Sequence, residues 1–316
     1  MTQLVSVIIP CFNAERWIGE AIQSCLNQTY APIEIIVIDD GSTDRSLEVI
    51  KSFGNRVRWE SGQNRGGNHA RNRGFAISSG RYIQFLDADD YLLPKKIPRQ
   101  VAFLEASGAD VVYGDWRHEH FLPDGSSQLE EIAVSGAQED VLSALLSGWW
   151  VAPAALLFRR HVLEKTGGWD ESFTAAQDRD LFISIAMTDA KIAYQPGCYS
   201  IYRRYGHDTV STGSRMRWLD NHCRVLDKAA AALNVAERMK SEYRRALASS
   251  YFHLARNYFD RDRKKYRETM EKVLMLEPEF QPRESAIYGL AKRMFGFSAA
   301  ESLASWNRRL RARYSD

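Results

Sequence analysis

The sequence predicts an α/β fold, in which a mostly parallel sheet is flanked by helices, followed by an all-helical C-terminal extension. Short apolar runs rich in Val and Ile alternate with helical stripes in the first part of the chain, which is the pattern of β-α-β units. Several of these runs are followed at once by Asp or Asn. From about Ser214 onward the chain has no strand-like run. We therefore expect one domain over residues 1–213 and a helical extension over residues 214–316.

The predicted elements follow one another in a regular order. Apolar runs without breakers indicate strands, and apolar side chains at helical spacing indicate helices. In the first third, strands are predicted at residues 4–10, 33–38, 57–60 and 81–86, with helices at residues 14–28 and 68–79 and another that Thr43 or Asp44 caps and that ends at Ile50. In the middle third, strands are predicted at residues 109–113, 115–121, 129–134 and 154–158, with helices at residues 94–106, 139–146, 160–165 and from Asp178 onward. In the extension, helices are predicted at residues 215–235, 237–259, 263–276, 283–295 and 298–313. In such parallel sheets, ligands bind beyond the carboxyl ends of the strands.

Composition narrows the class of protein. At 316 residues the chain can bury one substantial core and a smaller annex. Its 42 basic and 40 acidic residues give a net charge of +2, so no nucleic-acid partner is expected. Its four cysteines lack metal-binding spacing and are typical of reduced thiols. Because the N-terminus has no leader pattern and no apolar run reaches membrane-spanning length, a cytoplasmic location is expected.

Three acidic residues close one of the predicted strands. In the stretch GRYIQFLDADDYLLP, Asp87, Asp89 and Asp90 directly follow an apolar run. Like charges this close repel unless a cation lies among them, and Asp87 and Asp89 face the same way in extended backbone. A hard divalent ion held by so few carboxylates takes its other ligands from phosphate oxygens and water. The alternative is that these residues only form a turn and cap the helix that Pro94 opens.

Four segments of the chain are informative through their order and spacing. They are VSVIIPCFNAERWIGEAIQSCLNQTY, IEIIVIDDGSTD, ARNRGFAISSGRYIQFLDADDYLLP and GGWDESFTAAQDRDL. In this order and spacing they resemble the family 2 glycosyltransferases, nucleotide-sugar-dependent enzymes of the GT-A fold. The resemblance covers residues 4 to about 205; each motif alone is weak, but four together are specific.

The resemblance implies a nucleotide site at the ends of the first two strands. Pro10, Phe12 and Asn13 are expected to lie against the nucleotide base. Asp40 is expected to accept a hydrogen bond from uracil N3, which favours UDP as the nucleotide. From the residues alone, Asp39 and Asp40 also suit a turn with an Asx cap.

Residues after the third strand are also expected to contact the donor. Asn68 ends a loop with two glycines, which let backbone approach the nucleotide closely. Arg71 matches a position that faces the base or the diphosphate in the family. Without the resemblance, Arg71 and Arg73 are ordinary solvated helix residues.

The resemblance also implies a metal site and a general base. Asp89 is expected to bind a divalent cation, Mn²⁺ or Mg²⁺, and Asp87 to contact the ribose or the waters of the metal. Asp178 matches the family's base, which takes the proton of the acceptor hydroxyl as the configuration inverts. Gln177 stands here where the family has Glu. The alternative is that Asp178 only caps a helix.

Two further groups of residues follow from their position in the family pattern. The segment YRRYGHDTVST lies where related enzymes have a mobile loop over the diphosphate, so Arg203 is expected to contact the donor and His207 the metal. Trp150, next to Trp149, falls in the acceptor-facing region, where aromatic faces suit sugar stacking. A lone histidine is more often not a ligand, and paired tryptophans also suit a core.

The end of the chain is basic and amphipathic. Residues 292–313 carry many arginines, with Leu303 and Trp306 among them. Such a segment can dock on anionic lipid, which predicts peripheral contact with the inner face of the membrane. The alternative is a solvated helix face.

These features predict an inverting glycosyltransferase that moves a sugar from a nucleoside diphosphate sugar to a carbohydrate or lipid-linked acceptor, in surface polysaccharide assembly. A sugar nucleotidyltransferase would have a glycine-rich loop after the first strand, but this chain reads PCFNAERW there. The other alternative is a catalytically silent binding or scaffold protein of the same fold. The acids Asp40, Asp89 and Asp178 argue against it.

Overall fold

The computed structural model describes residues 2–122, 124–205, 214–282 and 284–313, with side chains described as far as Asn307. The strands are β1 Val5–Cys11, β2 Ile33–Asp39, β3 Arg58–Ser61, β4 Tyr82–Phe85, β5 Tyr91–Leu92, β6 Val111–Phe121, β7 Ser127–Leu129, β8 Leu156–Arg159 and β9 Ile192–Arg204. The helices are α1 Ile18–Leu26, α2 Ser46–Ser52, α3 Gly67–Ile77, α4 Lys96–Ser107, α5 Val141–Leu146, α6 Arg160–Thr166, α7 Gln177–Ala186, α8 Arg215–Val235, α9 Ser241–Tyr258, α10 Arg263–Leu276 and α11 Ala286–Arg313.

The strands form one nine-stranded sheet in the order β3-β2-β1-β4-β8-β6-β9-β5, with β7 paired to β6. The first four strands in this order are parallel, and β1 lies between β2 and β4. β8 runs antiparallel to both of its neighbours, β4 and β6. β6 and β9 are again parallel. The prediction of a mostly parallel sheet with flanking helices is confirmed, and β8 is the internal strand that reverses.

The core forms where the predicted Val/Ile runs meet the first helices. Ile8 and Ile36, on neighbouring strands, are fully buried. Helix α3 lies very close to β1, since a Cβ atom added at Gly74 would come 2.4 Å from a methyl carbon of Ile8. This close approach requires glycine, and it fixes the helix that carries Asn68 and Arg71.

Four strands differ from the sequence-based expectation. β5 was not predicted, and β7 covers Ser127–Leu129, whereas a strand was expected over residues 129–134. Residues 109–113 and 115–121 were expected to form separate strands, but β6 is continuous from Val111 to Phe121. β9 was not predicted, because Pro196 and Gly197 interrupt it. The pairing of β6 with β9 shifts register around Asp115, whose carboxylate accepts the N–H of Gly197 at 3.0 Å. A β-bulge therefore accommodates both strand breakers.

The described chain divides into two compact units, Met1–Leu145 with Trp149–Arg215, and Leu146–Gly148 with Met216–Asp316. In the second unit, α8, α9 and α10 are joined by two similar polar contacts. Asp220 accepts hydrogen bonds from Tyr258 at 2.7 Å and from Lys265 at 2.6 Å. Asp227 accepts them from Tyr251 at 2.7 Å and from Lys272 at 2.6 Å. The two aspartates, the two tyrosines and the two lysines are each about two helical turns apart on their helix. The two sets of contacts therefore fix the register of the three helices.

The last helix is broken near its middle. α11 runs from Ala286 to Arg313, with a non-helical residue at Gly296, where φ is 81°. This break separates two helical segments, which confirms the prediction of two helices over residues 283–295 and 298–313. No helix among the described residues combines the length and the apolarity that a bilayer crossing requires.

Candidate active site

The carboxyl ends of β1, β2 and β4 lie at one edge of the sheet because the three strands are parallel. Pro10 is buried within β1, and Phe12, just beyond it, leaves 49% of its surface exposed. Asn13 has a left-handed φ of 49°. Its side-chain oxygen accepts the N–H of Thr43 at 2.8 Å, which ties the end of β1 to the loop after β2.

Asp39 and Asp40, at the end of β2, both hold loops in place. Asp40 is buried, and its two carboxylate oxygens accept the backbone N–H groups of Arg65 and Gly66 at 2.8 Å each. Asp39 accepts the hydroxyl of Ser61 at 2.6 Å. A carboxylate has about four lone-pair sites, so Asp40 keeps acceptor capacity while it shapes the glycine-containing loop that precedes α3.

Arg71 is a buried residue of α3 rather than a solvated one. Its guanidinium pairs with the Asp87 carboxylate at 2.6 Å and lies 4.6 Å from the ring centroid of Trp169. Asn68, one turn earlier, donates its side-chain N–H to the carbonyl of Asp170 at 2.7 Å. Arg73 instead forms a solvent-exposed pair with a glutamate. Arg71 and Asn68 thus join α3 to both the acidic turn and the GGWDESF motif.

The acidic turn after β4, Asp87 to Asp90, carries closely spaced charges. Asp89 is partly buried and accepts the hydroxyl of Tyr205 at 2.8 Å. Burial, and then the nearby charge of Asp87, raise the pKa of Asp89. Burial and both neighbouring acids raise the pKa of Asp90, whose carboxylate accepts the backbone N–H of Arg203 at 2.9 Å. Because hard oxygen donors crowd together here, the residues fit a divalent cation such as Mn²⁺ or Mg²⁺.

Arg203, near the end of β9, lies behind the acidic turn. Its side chain is 2% exposed and pairs with Glu20 and, at 3.2 Å, with Glu119. It also donates to the backbone carbonyl of Asp89 at 3.2 Å. In this arrangement the Arg203 side chain supports the acidic turn from inside the protein. Its neighbour Arg204 is exposed, and His207 lies outside the described residues.

Asp178 lies in the first turn of α7, where the helix dipole favours a carboxylate. Its side chain is partly buried and accepts the indole N–H of Trp150. Burial raises the pKa of Asp178, the Trp150 hydrogen bond opposes this, and the charges of Asp87 and Arg71 act on it as well. The structure therefore brings Asp178 into one electrostatic environment with the acidic turn, and Phe85, Trp150 and Trp169 line the apolar pocket beside it.

Several residues of this region were not identified from the sequence. The pKa of Tyr202 is raised by burial and then by the charges of Asp90, Asp87, Asp89 and Asp178, so these four acids act on its hydroxyl electrostatically. Tyr205 binds Asp89, and Trp169 stacks on Arg71. These three aromatics lie within motifs that were singled out for other residues. Trp116 and Glu119 on β6 had no local signal, because long-range pairing alone brings them here.

Comparison with known proteins decides the family. The sequence profile described as Glycosyl transferase family 2 matches residues 6–167. The chain belongs to glycosyltransferase family 2. GlyG of Streptococcus pneumoniae serotype 4, a glycosyltransferase, is 38% identical over 245 residues, which are 72% of this chain and 80% of GlyG. An uncharacterised glycosyltransferase of Nostoc sp. is 36% identical over 173 residues, 51% of this chain and 52% of that protein. The chain thus spans about half the length of that relative and of one from Haemophilus influenzae, of which it covers 47%.

Two solved structures share the fold. S. aureus TarS residues 1–349, in complex with UDP-GlcNAc, superimposes with a TM-score of 0.72 at 17% identity, covering 96% of this chain and 91% of that one. The mannosyltransferase PcManGT from Pyrobaculum calidifontis, in complex with GDP-Man and Mn²⁺, gives a TM-score of 0.53 at 17% identity, covering 98% and 88%. The fold is that of the GT-A family 2 enzymes, as the sequence motifs predicted.

Proposed function

We propose that this family 2 member is an inverting glycosyltransferase, in which Asp178 is the general base for transfer of a sugar from a nucleoside diphosphate sugar. The observation that carries the proposal is the placement of Asp178. Its carboxylate is partly buried, held by Trp150, and within the electrostatic influence of Asp87 and Arg71. A residue that only capped a helix would have no need of this environment.

The chemistry follows from what a partly buried carboxylate with a raised pKa can do. Displacement at the anomeric carbon requires a base opposite the leaving diphosphate, which accepts the proton of the acceptor hydroxyl as that oxygen attacks. A raised pKa brings the carboxylate closer to the operating pH and makes it a stronger base. A single displacement inverts the anomeric configuration. Gln177 beside it supplies no second charge.

The donor is assigned to the edge formed by β1, β2 and β4. Phe12, Asn13 and Asp40 would meet the nucleotide base, for which UDP is favoured, while Asn68 and Arg71 lie toward the sugar diphosphate. Asp89, with Asp87, would hold Mn²⁺ or Mg²⁺, which when bound neutralises charge on the departing diphosphate. The complexes of TarS with UDP-GlcNAc and of PcManGT with GDP-Man and Mn²⁺ support a donor of this class.

The acceptor is proposed to be a carbohydrate or a lipid-linked sugar in surface polysaccharide assembly. Trp150 supports this, because its ring contacts Trp116 at 5.0 Å while its N–H binds the proposed base. Aromatic faces of this kind suit sugar rings, so the acceptor would approach Asp178 along the rings of Trp150 and Trp116.

Residues 1–213 are proposed to be the catalytic part and residues 214–316 a part that contacts the cytoplasmic face of the membrane. The support is an apolar surface on α11. Its large side chains are exposed at Ile287, Leu290, Met294, Phe295 and Trp306. Exposed Arg293 lies among them, and such a mixed apolar and basic surface suits anionic lipid.

A donor screen followed by product analysis tests the activity. The full chain is incubated with UDP-, dTDP- and GDP-sugars, Mn²⁺ and a panel of glycan and polyprenol-linked acceptors, and the anomeric configuration of the product is read by NMR. We expect transfer with inversion from a UDP-sugar. Retention of configuration would contradict the single-base mechanism, and tight UDP binding without turnover in any pairing would favour the scaffold function.

A further inference from the structure

Two histidines and a glutamate come together on the β6–β7 hairpin. His118 and His120 belong to β6, and Glu130 follows β7 directly. One ligand atom from each of the three side chains lies within 4.8 Å of the other two. None of these residues belongs to the acidic turn or contacts Asp178 in the described structure, so the proposed glycosyl transfer does not account for them.

The strand geometry sets this cluster. Side chains two positions apart on a strand share a face, which places His118 and His120 together. Glu130 lies opposite His118, because its backbone N–H donates to the His118 carbonyl at 2.9 Å. Its two carboxylate oxygens reach His118 Nδ1 at 2.7 Å and His120 Nε2 at 2.5 Å. Regular cross-strand pairing thus holds three metal-ligating groups at one point.

We propose that His118 Nδ1, His120 Nε2 and the Glu130 carboxylate form a second metal site, which takes a divalent transition metal of the Zn²⁺ class. Imidazole nitrogens suit Zn²⁺ and its neighbours in the first transition row, whereas carboxylate-only sets suit Mg²⁺, Ca²⁺ and Mn²⁺. Three protein ligands leave one tetrahedral position for water or another ligand. The donor chemistry therefore separates this site from the acidic turn.

The surroundings of the cluster give the site a place in the protein. The His118 ring lies 4.7 Å from Trp116 and 5.4 Å from Tyr202 between centroids. Trp116 in turn contacts Trp150, which binds Asp178. A metal bound to the hairpin would fix the His118 ring, and with it one end of the row of rings formed by His118, Trp116 and Trp150. Without a metal, the same residues form an ion pair of Glu130 with two histidines, which is the competing explanation.

Metal titration of the full chain, produced without a polyhistidine tag, distinguishes the two explanations. Zn²⁺ alone is titrated by calorimetry, and Co²⁺ alone by its visible absorption. We expect one Zn²⁺ site per chain whose affinity falls at least about tenfold in His120→Ala and Glu130→Gln, since each removes a ligand. The Co²⁺ spectrum is expected to lack thiolate charge transfer, which excludes the four cysteines as ligands.

Two controls make the outcome specific. His161→Ala removes another histidine that pairs with a carboxylate, Asp110 at 3.2 Å, and is expected to bind Zn²⁺ like the wild type. Asp89→Asn disables the acidic turn and is expected to keep the Zn²⁺ site. Both test variants change partly exposed side chains, and circular dichroism verifies their folding. Unchanged Zn²⁺ affinity in folded Glu130→Gln or His120→Ala, or loss of the site in Asp89→Asn, would overturn the proposal.

Discussion

The indole N–H of Trp150 donates a hydrogen bond to Oδ2 of Asp178. This contact stabilises the charged carboxylate, whereas burial favours the neutral acid. Two opposing effects therefore set the pKa of the proposed base, and one of them comes from a side chain on the proposed acceptor side. In the proposed mechanism, sugar approach and proton acceptance are therefore linked through Trp150.

Replacing Asp178 by Asn is expected to lower kcat by about 10³-fold, because it removes the base without changing the size of the side chain. The affinity for UDP with Mn²⁺ is expected to change little, since the acidic turn is intact. Steady-state kinetics and calorimetry measure the two quantities. A variant that retains most of its activity would refute the assignment of Asp178.

The pH dependence of transfer is expected to report the raised pKa of Asp178. Only the ionised carboxylate accepts a proton, so kcat falls as the pH drops through this pKa, at a pH above the ordinary aspartate value of 3.8. Trp150→Phe removes an effect that lowers the pKa, and it is expected to move this limb to higher pH. Trp149→Phe is the matched control, because the Trp149 indole donates to the Ser135 carbonyl instead. An equal shift in both variants would contradict the role of the Trp150 hydrogen bond.

Replacing Asp89 by Asn is expected to abolish the metal dependence of UDP binding while raising the thermal stability of the metal-free protein. The pKa of Asp89 is raised by burial and by Asp87. The neutral acid is therefore favoured on folding, and stability present at low pH is lost as the pH rises through the raised pKa. The Tm difference between variant and wild type in EDTA should be positive at neutral pH and vanish in acid. A lower Tm at neutral pH would show that the Asp89 charge is stabilising.

Replacing Arg203 by Met is expected to destabilise the protein by about 3 kcal/mol, because it leaves the largely buried Glu119 without its cation. Arg204→Met changes the exposed neighbour and should stay within about 0.5 kcal/mol of the wild type. Adding Glu119→Gln to Arg203→Met should recover part of the loss. Denaturant unfolding measures all three. A stable Arg203→Met variant with weakened UDP binding would instead indicate direct contact with the donor.

Binding to anionic vesicles is expected to depend on the exposed apolar surface of α11. Changing Met294 and Phe295 together to Ser should abolish co-sedimentation with vesicles rich in phosphatidylglycerol. The Tm should be unchanged, since both side chains are exposed. Neutral phosphatidylcholine vesicles provide the control. Equal sedimentation of the variant and the wild type would exclude this surface as the lipid contact. Unchanged sedimentation after removal of residues 283–316 would exclude it as well.

The sequence was informative where a local pattern determines the structure. The Val/Ile runs of β1 and β2 bury on both faces, and the acids that follow β2 and β4 fall at the sheet edge because parallel strands must end there. Asp178 begins a helix as expected. These features need only the residues themselves and a rule of strand or helix geometry.

Contacts between distant residues could not be predicted in this way. Arg203 at the donor stays a prediction, but its ion pair with Glu119 could not be predicted, because Glu119 is 84 positions away and only the pairing of β6 with β9 brings the two residues together. β9 itself was missed because the bulge that absorbs Pro196 and Gly197 depends on the distant Asp115. Trp150 and Asp178 were each identified, while their hydrogen bond was not.

The two faces of β6 have a consequence for how specificity can change. Glu119 and Phe121 point toward Arg203 and Trp17, while Trp116 and His118 point toward Trp150 and Tyr202. Neighbouring residues of β6 therefore contact different parts of the protein. Within the proposed mechanism, a library that randomises Trp116 and His118 would therefore change the surroundings of Trp150 on the acceptor side, while Glu119 and Phe121 would keep their contacts with Arg203 and Trp17.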